Sequence, residues 1–441
     1  MTRKEELFEY YKIFLEKWFY KPPCEAVEYV MTLYTAHSML NEKPVWSFIL
    51  GPSSTGKSAI VLDPLQGLPN VKCLDTITPN SFLSGFKGGG ILNNWTSNNI
   101  FVVFSDFSTF LGMRQEAREE IQGQLRRYFD MTGAVSKDVG NTAVSWEGKM
   151  TILAACTPTL ENYWMVGRDL GERFLMNRLP YNESIEEQRQ RQKYAKKHIG
   201  HETEIRTKMK EMVKEVVDPE STFGVDYDLE HEQEIEYTVI LVALLRRTVE
   251  RNFNFGSKHE ITRVAPAEGT GRLGKQLSSL AIANAMMFES PILLDRGIKI
   301  AKKAALYTIP TWRYRIFSAL FASKDTKYTL SLSDLYKVTG IPRTSLKSTV
   351  EELEAMEVLD ENTSPTGRTA TLKEEFIEIA DKSNFILDLQ KWSPLTKMTK
   401  ERVYIEEDDF YATPTRVINI ASARPVTRKV DWKADRLEAL E

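Results

Sequence analysis

The chain has 441 residues, 61 of them acidic and 58 basic, for a formal net charge of −3. Hydrophobic residues at 42% and charged ones at 27% are the balance of a soluble globular protein of about two to four domains. So near-neutral a charge excludes a surface coated in positive potential, and any nucleic-acid contact must come from local patches.

Three scattered cysteines, Cys24, Cys73 and Cys156, match neither a disulfide framework nor a metal spacing and suit a reducing compartment. The five histidines form no ligand pair. The N-terminal stretch alternates charge with apolar residues, and no run is long enough to span a bilayer. The expectation is a cytoplasmic protein without membrane contact.

Residues 1–42 read as two amphipathic helices that pack on the core. Phe8, Tyr11, Phe14, Leu15 and Phe19 recur at helical spacing, as do Ala26, Val27, Val30, Leu33 and Tyr34 after the Pro22-Pro23 break. Residues 43–181 read as a nucleotide-binding core. The apolar run Trp46 to Leu50 breaks into Gly51-Pro52-Ser53-Ser54-Thr55-Gly56-Lys57-Ser58, and apolar periodicity resumes at Ala59. This is G-x-x-x-x-G-K-[ST] between a strand and a helix, the context that motif requires. Its backbone N–H groups are suited to wrap a phosphate chain, Lys57 to reach the β- and γ-phosphates of ATP, and Ser58 to ligate Mg²⁺.

A second strand is predicted at Val71 to Leu74 and a short helix over Thr78 to Phe86, before the basic glycine turn at Lys87. The apolar strand Ile100 to Phe104 delivers Asp106, which would hold Mg²⁺ or orient the attacking water. A helix over Arg114 to Asp130 leads into a hairpin across Gly133 to Gly148. The strand Met150 to Ala155 then ends in Thr157, whose hydroxyl suits the γ-phosphate or the lytic water. Gly171-Glu172-Arg173-Phe174 opens one more short strand.

In this order the parts resemble an AAA+ ATPase, and more narrowly the minichromosome-maintenance helicases and related ATPases of phages and mobile elements. That family has a strand ending in Asp-Glu-Phe-Asp, one ending in Ala-Ala-Asn-Pro and one opening with Ser-Arg-Phe-Asp. Here the stretches read Ser105-Asp106-Phe107-Ser108, Ala154-Ala155-Cys156-Thr157-Pro158 and Gly171-Glu172-Arg173-Phe174. The resemblance implies a three-layer α/β/α core, a helical lid and a hexameric ring. Asp106 takes either the metal-side position or that of the catalytic glutamate, and one of the two usual acids is missing. General-base help is worth on the order of 10²–10⁴ in rate, so hydrolysis is slow or a base such as Glu116 serves. The resemblance makes Arg173 an arginine finger reaching the next subunit's γ-phosphate, with Arg168 the alternative and pairing to Glu172 or Asp169 the structural one. It also places Lys137 of the hairpin, and Lys87, in the ring's pore against DNA.

Residues 182–261 are dense in both charges and read as one solvated helix extending to Val217, then a strong helix from Ile235 to Asn252. Residues 262–309 look like the AAA+ lid, where Arg272, with Lys275 as the alternative, would contact nucleotide. Within 310–375, a helix from Arg313 to Phe321, one capped by Ser333-Asp334 and one carrying Leu346, Val350, Leu353 and Met356 precede a small hairpin. This is the winged-helix pattern. It offers Arg343, Lys347 and, in the wing, Arg368 to DNA, although Glu351, Glu352 and Glu354 would repel phosphates deep in a groove. Residues 376–441 read as a tail.

The sequence thus predicts a ring-forming, ATP-dependent DNA motor, a helicase or helicase-like replication protein of a phage or mobile element. Two other readings stay open: an ATP-gated DNA-binding switch with slow hydrolysis, and a remodeller of protein partners.

Overall fold

The computed structural model describes residues 1–85, 89–131, 134–139, 142–163, 173–180, 184–218, 224–226, 228–252, 260–364 and 367–386. The expectations for Lys87, for Arg168 and for most of the tail lie outside the described residues.

Two helices, α1 (Arg3–Trp18) and α2 (Cys24–Met39), precede strand β1 (Trp46–Leu50). Next come β2 (Val71–Leu74), β3 (Asn99–Phe104), the short α3 (Ser108–Leu111) and α4 (Gln115–Asp130). A hairpin of β4 (Val135–Val139) and β5 (Thr142–Trp146) leads to β6 (Lys149–Cys156) and β7 (Phe174–Arg178). Five of these strands form one parallel sheet in the order β2-β3-β6-β1-β7.

Alternate side chains of the sheet enter two cores. Ile49, Phe101, Val103, Leu153 and Leu175 pack with residues of α1 and α2. Trp46, Phe48, Ile100, Val102, Ile152 and Phe174 pack with Ile121, Leu125, Tyr128 and Phe129 of α4. Burial on both faces is why the inner strands β1 and β3 read as nearly unbroken apolar runs. The result is an α/β sandwich compatible with a Rossmann-like or P-loop core.

The N-terminal helices belong to this sandwich. Tyr29 donates its hydroxyl to Ser47 Oγ at 2.6 Å, and His37 Nδ1 lies 2.9 Å from Thr151 Oγ1. Between β5 and β6 the chain leaves no room at Gly148. A Cβ there would lie 2.2 Å from the Asn98 carbonyl oxygen and 2.6 Å from the Trp146 ring. Gly148→Ala therefore costs about 1–3 kcal/mol, read as a lower urea midpoint at unchanged slope.

The stretch 78–85 is turn and bend, not helix. Asn93 Oδ1 accepts from the Ser84 N–H at 3.0 Å, the group that a helix would direct to the Asn80 carbonyl. The charged stretch is two helices, α5 (Ile185–Lys197) and α6 (Glu202–Val217), parted near Gly200 at φ +86°. Of these, α6 is not solvated, because Ile205, Met209, Met212, Val213 and Val216 are buried.

The helix expected over Ile235 to Asn252 is α7 (Leu229–Leu245). It begins earlier because Asp228 caps it, accepting from the His231 N–H at 2.8 Å. After its end the chain forms an antiparallel pair, β8 (Val249–Arg251) and β9 (Ile261–Val264). The helices α8 (Thr270–Met287) and α9 (Asp295–Leu306) come next, as predicted.

The C-terminal region has α10 (Thr311–Ala322), β10 (Thr329–Ser331), α11 (Leu332–Thr339) and α12 (Arg343–Ala355), then β11 (Leu359–Ser364), β12 (Gly367–Leu372) and α13 (Glu374–Lys382). The cap of α11 is Ser331, which accepts from the Asp334 N–H at 3.1 Å, rather than Ser333. Two elements were not anticipated: β10, which adds a third strand beside β12, and α13.

One glutamate at the acidic end of α12, Glu352, is turned inward. Arg313 donates to Glu352 Oε2 from Nη2 at 2.9 Å and from Nε at 3.1 Å, and Arg251 donates to its Oε1 at 3.4 Å. Glu352→Ala would leave the buried Arg313 without its carboxylate, a loss of about 2–4 kcal/mol by thermal denaturation. The repulsion that this glutamate would offer to phosphates is therefore largely cancelled within the chain.

Candidate nucleotide site

The loop after β1 leaves the carboxyl edge of the sheet beside the end of β6, since Leu50 pairs with Cys156 and the Gly51 N–H donates to the Cys156 carbonyl at 3.2 Å. Gly51 must be small, because a Cβ would lie 3.0 Å from Thr55 Oγ1 and 3.2 Å from Leu179 Cβ. Two positive φ values, +65° at Ser54 and +89° at Gly56, curl the loop. A Cβ on Gly56 would strike Ile60 at 2.7 Å. Thr55 donates to the Pro52 carbonyl at 2.8 Å and ties the curl across its base.

The helix after the loop is short and irregular. One π-type turn, Lys57–Leu62, passes into a 3₁₀ turn, Asp63–Gly67, with Pro64 at its start. Lys57 turns its ammonium back onto the Gly51 and Pro52 carbonyls, the latter at 2.6 Å. Burial lowers its pKa, against the pull of nearby Cys156 and Asp106. Pro52 and Ala59 flank this curl half-buried, and Ser53 and Ser58 are exposed.

Asp106 is exposed just beyond β3, on the same edge. Its Oδ1 accepts from the Ser108 N–H at 2.9 Å and hydroxyl at 2.5 Å, which fixes the carboxylate. Phe107 is core, its ring 5.2 Å from Phe48 and 4.7 Å from Phe110. Asp106 is thus the one carboxylate this strand end presents. Beside it, burial pushes the Cys156 thiol up to about 11. Thr157 Oγ1 lies 2.5 Å from Thr159 Oγ1. Glu116 is exposed on the first turn of α4. Among the described residues no group of three or more His, Cys, Asp or Glu is clustered to hold a metal ion unaided.

One cation at this edge was not anticipated. Arg178 ends β7 opposite Leu50, pairs with Glu161 and donates to the Tyr307 carbonyl from Nη2 at 3.1 Å. Thr311 donates to the same Glu161 at 2.6 Å, so the strand end is tied to the start of α10. A charged residue closing an apolar strand was the signal available. Arg178, Leu179 and Asn177 line a cavity of about 320 Å³ with Pro23, Cys24 and Tyr307. Leu179 also sits against Gly51, so the cavity adjoins the loop.

The other expected arginines lie at the opposite edge. Arg173 precedes β7, whose first residue pairs with the first of β1. Its guanidinium is 10% exposed, bonds Asp130 at 2.9 Å and lies over the Phe129 ring at 5.6 Å. Among the described residues its carboxylate partner is Asp130 of α4; Glu172 and Asp169, the partners expected from the sequence, lie outside the described residues. Arg272 lies over the same ring at 5.8 Å and is exposed, as is Lys275. Gln276, one turn on, donates to the Arg173 carbonyl at 2.8 Å. Arg272 is thus brought to Arg173, not to the Gly51–Ser58 loop of its own chain.

Lys137 does not project from its hairpin. It donates to the Pro79 carbonyl at 2.9 Å, Asn80 Oδ1 at 2.7 Å and Glu120 at 3.1 Å. In the C-terminal region Arg343 lies over Tyr336 at 5.3 Å, Lys347 is 3.9 Å from Glu351, and Arg368 donates to Glu361 at 3.2 Å. All three side chains remain exposed.

No family model and no curated protein matches this chain. Among the described residues, no helix is long and apolar enough to cross a membrane.

Proposed function

We propose that this chain is a ring-forming, ATP-dependent motor on DNA, built as an AAA+ core with a helical lid and a C-terminal winged helix. The observation that carries the reading is the convergence of the Gly51–Ser58 loop, Lys57 and the carboxylate of Asp106 at one sheet edge. That edge is where β1 lies between β6 and β7 and the strand order reverses, the crevice in which open α/β sheets take ligands.

In this reading the loop N–H groups and Lys57 bind the phosphates, and the cavity beside Leu179 takes the nucleoside. Ser58 and Asp106 would hold Mg²⁺. Two protein oxygens suit an ion that keeps phosphate and water as its other ligands. Bound there, the ion neutralises charge on the phosphates. Asp106, fixed by Ser108, and Thr157 orient the attacking water. Of the two arginines over Phe129, the exposed Arg272 is assigned to the phosphates of a neighbouring copy, with Arg173 holding the wall behind it. Arg343, Lys347 and Arg368 supply phosphate contacts from the C-terminal region.

A strand-displacement assay on a tailed duplex tests the motor. Displacement that requires both ATP and Mg²⁺ supports it, and tight ATP-dependent DNA binding without displacement replaces it with a nucleotide-gated switch. That the end of β3 presents one carboxylate, Asp106, followed by the core residue Phe107, favours that second reading over fast hydrolysis.

A further inference from the structure

The helix α5 buries none of its thirteen residues. Helices of this length are marginal alone and are usually held by an apolar face. This one is held at its start by a capping box between Ser184 and Glu187, and it carries five basic residues against two acidic ones. A local net of +3 stands out in a chain of net −3. Both acids are occupied: Glu187 meets Lys21 at 2.5 Å, and Glu186 meets Arg189 at 3.3 Å. The cations Lys193, Lys196 and Lys197 are all exposed.

Beside these cations lie aromatic rings from both α5 and the end of α1. Tyr194 and Tyr20 have ring centroids 5.8 Å apart. Lys197 lies over Tyr194 at 4.2 Å and Lys21 over Tyr20 at 5.5 Å. Trp18 has Lys17 Nζ 5.4 Å and the His201 ring 5.6 Å from its ring centroid. None of the three rings is fully buried.

We propose that α5 and the end of α1 form a face that grips single-stranded nucleic acid. The cations neutralise phosphates, and the rings of Tyr194, Tyr20 and Trp18 serve as platforms for bases. A solvated helix needs the charges but not the rings. An acidic protein partner would use the charges and leave the rings idle. Duplex bases are stacked on one another and cannot reach the platforms, so the face prefers a single strand. The proposal stands independently of what the phosphate loop binds.

The test is fluorescence anisotropy of labelled oligo(dT), oligo(rU) and duplex DNA, each about twenty units long, with full-length protein and no nucleotide. Lys193→Ala/Lys196→Ala/Lys197→Ala is expected to weaken oligo(dT) binding by about tenfold or more and to lower the slope of log K against log salt by about 2. Tyr194→Ala is expected to weaken it by about fivefold or more at unchanged slope. Circular dichroism checks that both variants keep their helix content. Lys57→Ala should bind oligo(dT) as the native chain does, which separates this face from the nucleotide site. Comparison of oligo(dT) with oligo(rU) reads the sugar preference of the same face. Unchanged binding in both α5 variants overturns the proposal, as does duplex binding that is as tight as single-strand binding and as sensitive to Tyr194→Ala.

Discussion

Lys57→Ala lowers kcat/KM for ATP by about 10³-fold or more while the chain still folds. The side chain is the loop's one fixed positive charge, and burial already makes its proton easier to lose than usual. Withdrawing such a charge from a site preorganised for a transferring phosphoryl group costs on the order of 10²–10³ or more in rate. Its hydrogen bonds run to two carbonyls of its own loop, so truncation opens no cavity in the core. The check is steady-state turnover beside a urea unfolding curve. Parallel loss of both would mean that Lys57 is structural.

Arg272→Ala and Arg173→Ala part in the opposite sense. Arg272 is exposed, so its loss leaves stability within about 0.5 kcal/mol of native and lowers turnover of the assembled protein by about 10³-fold. Arg173 is enclosed, and its loss takes from Asp130 its guanidinium partner and from Phe129 one of the two arginines over its ring. That costs about 1–3 kcal/mol in unfolding free energy. Asp130→Asn should reproduce much of the Arg173→Ala loss, because both break the same pair. If Arg173→Ala instead left stability untouched and removed turnover, the finger would be Arg173, acting once freed from Asp130.

The central sheet was legible because four of its strands, β1, β3, β6 and β7, are largely buried and so read as apolar runs, while the half-exposed β2 lies at its edge. The Gly51–Ser58 curl was legible because its motif fixes residue types at fixed spacing between a strand and a helical turn. What failed was decided by contacts distant in sequence. Nothing near Thr78 announces that Asn93 will take the N–H groups of Ser84 and Gly90, or that Glu352 will be claimed by Arg251 and Arg313. The placement of Arg272 depended on which end of α8 meets α4, and periodicity does not encode that. The single-helix reading of 185–217 missed a local signal, Gly200, whose left-handed conformation separates the two helices. Arg178 was passed over because a cation after an apolar strand is common, and only its meeting with Glu161 and Tyr307 singles it out.

The most direct measurement is ATP turnover by the full-length chain with and without single-stranded DNA, at matched salt. Turnover that requires Lys57 and rises severalfold with single-stranded DNA is the predicted result. Turnover that persists in Lys57→Ala, or that is absent despite saturating ATP, Mg²⁺ and DNA, would contradict it.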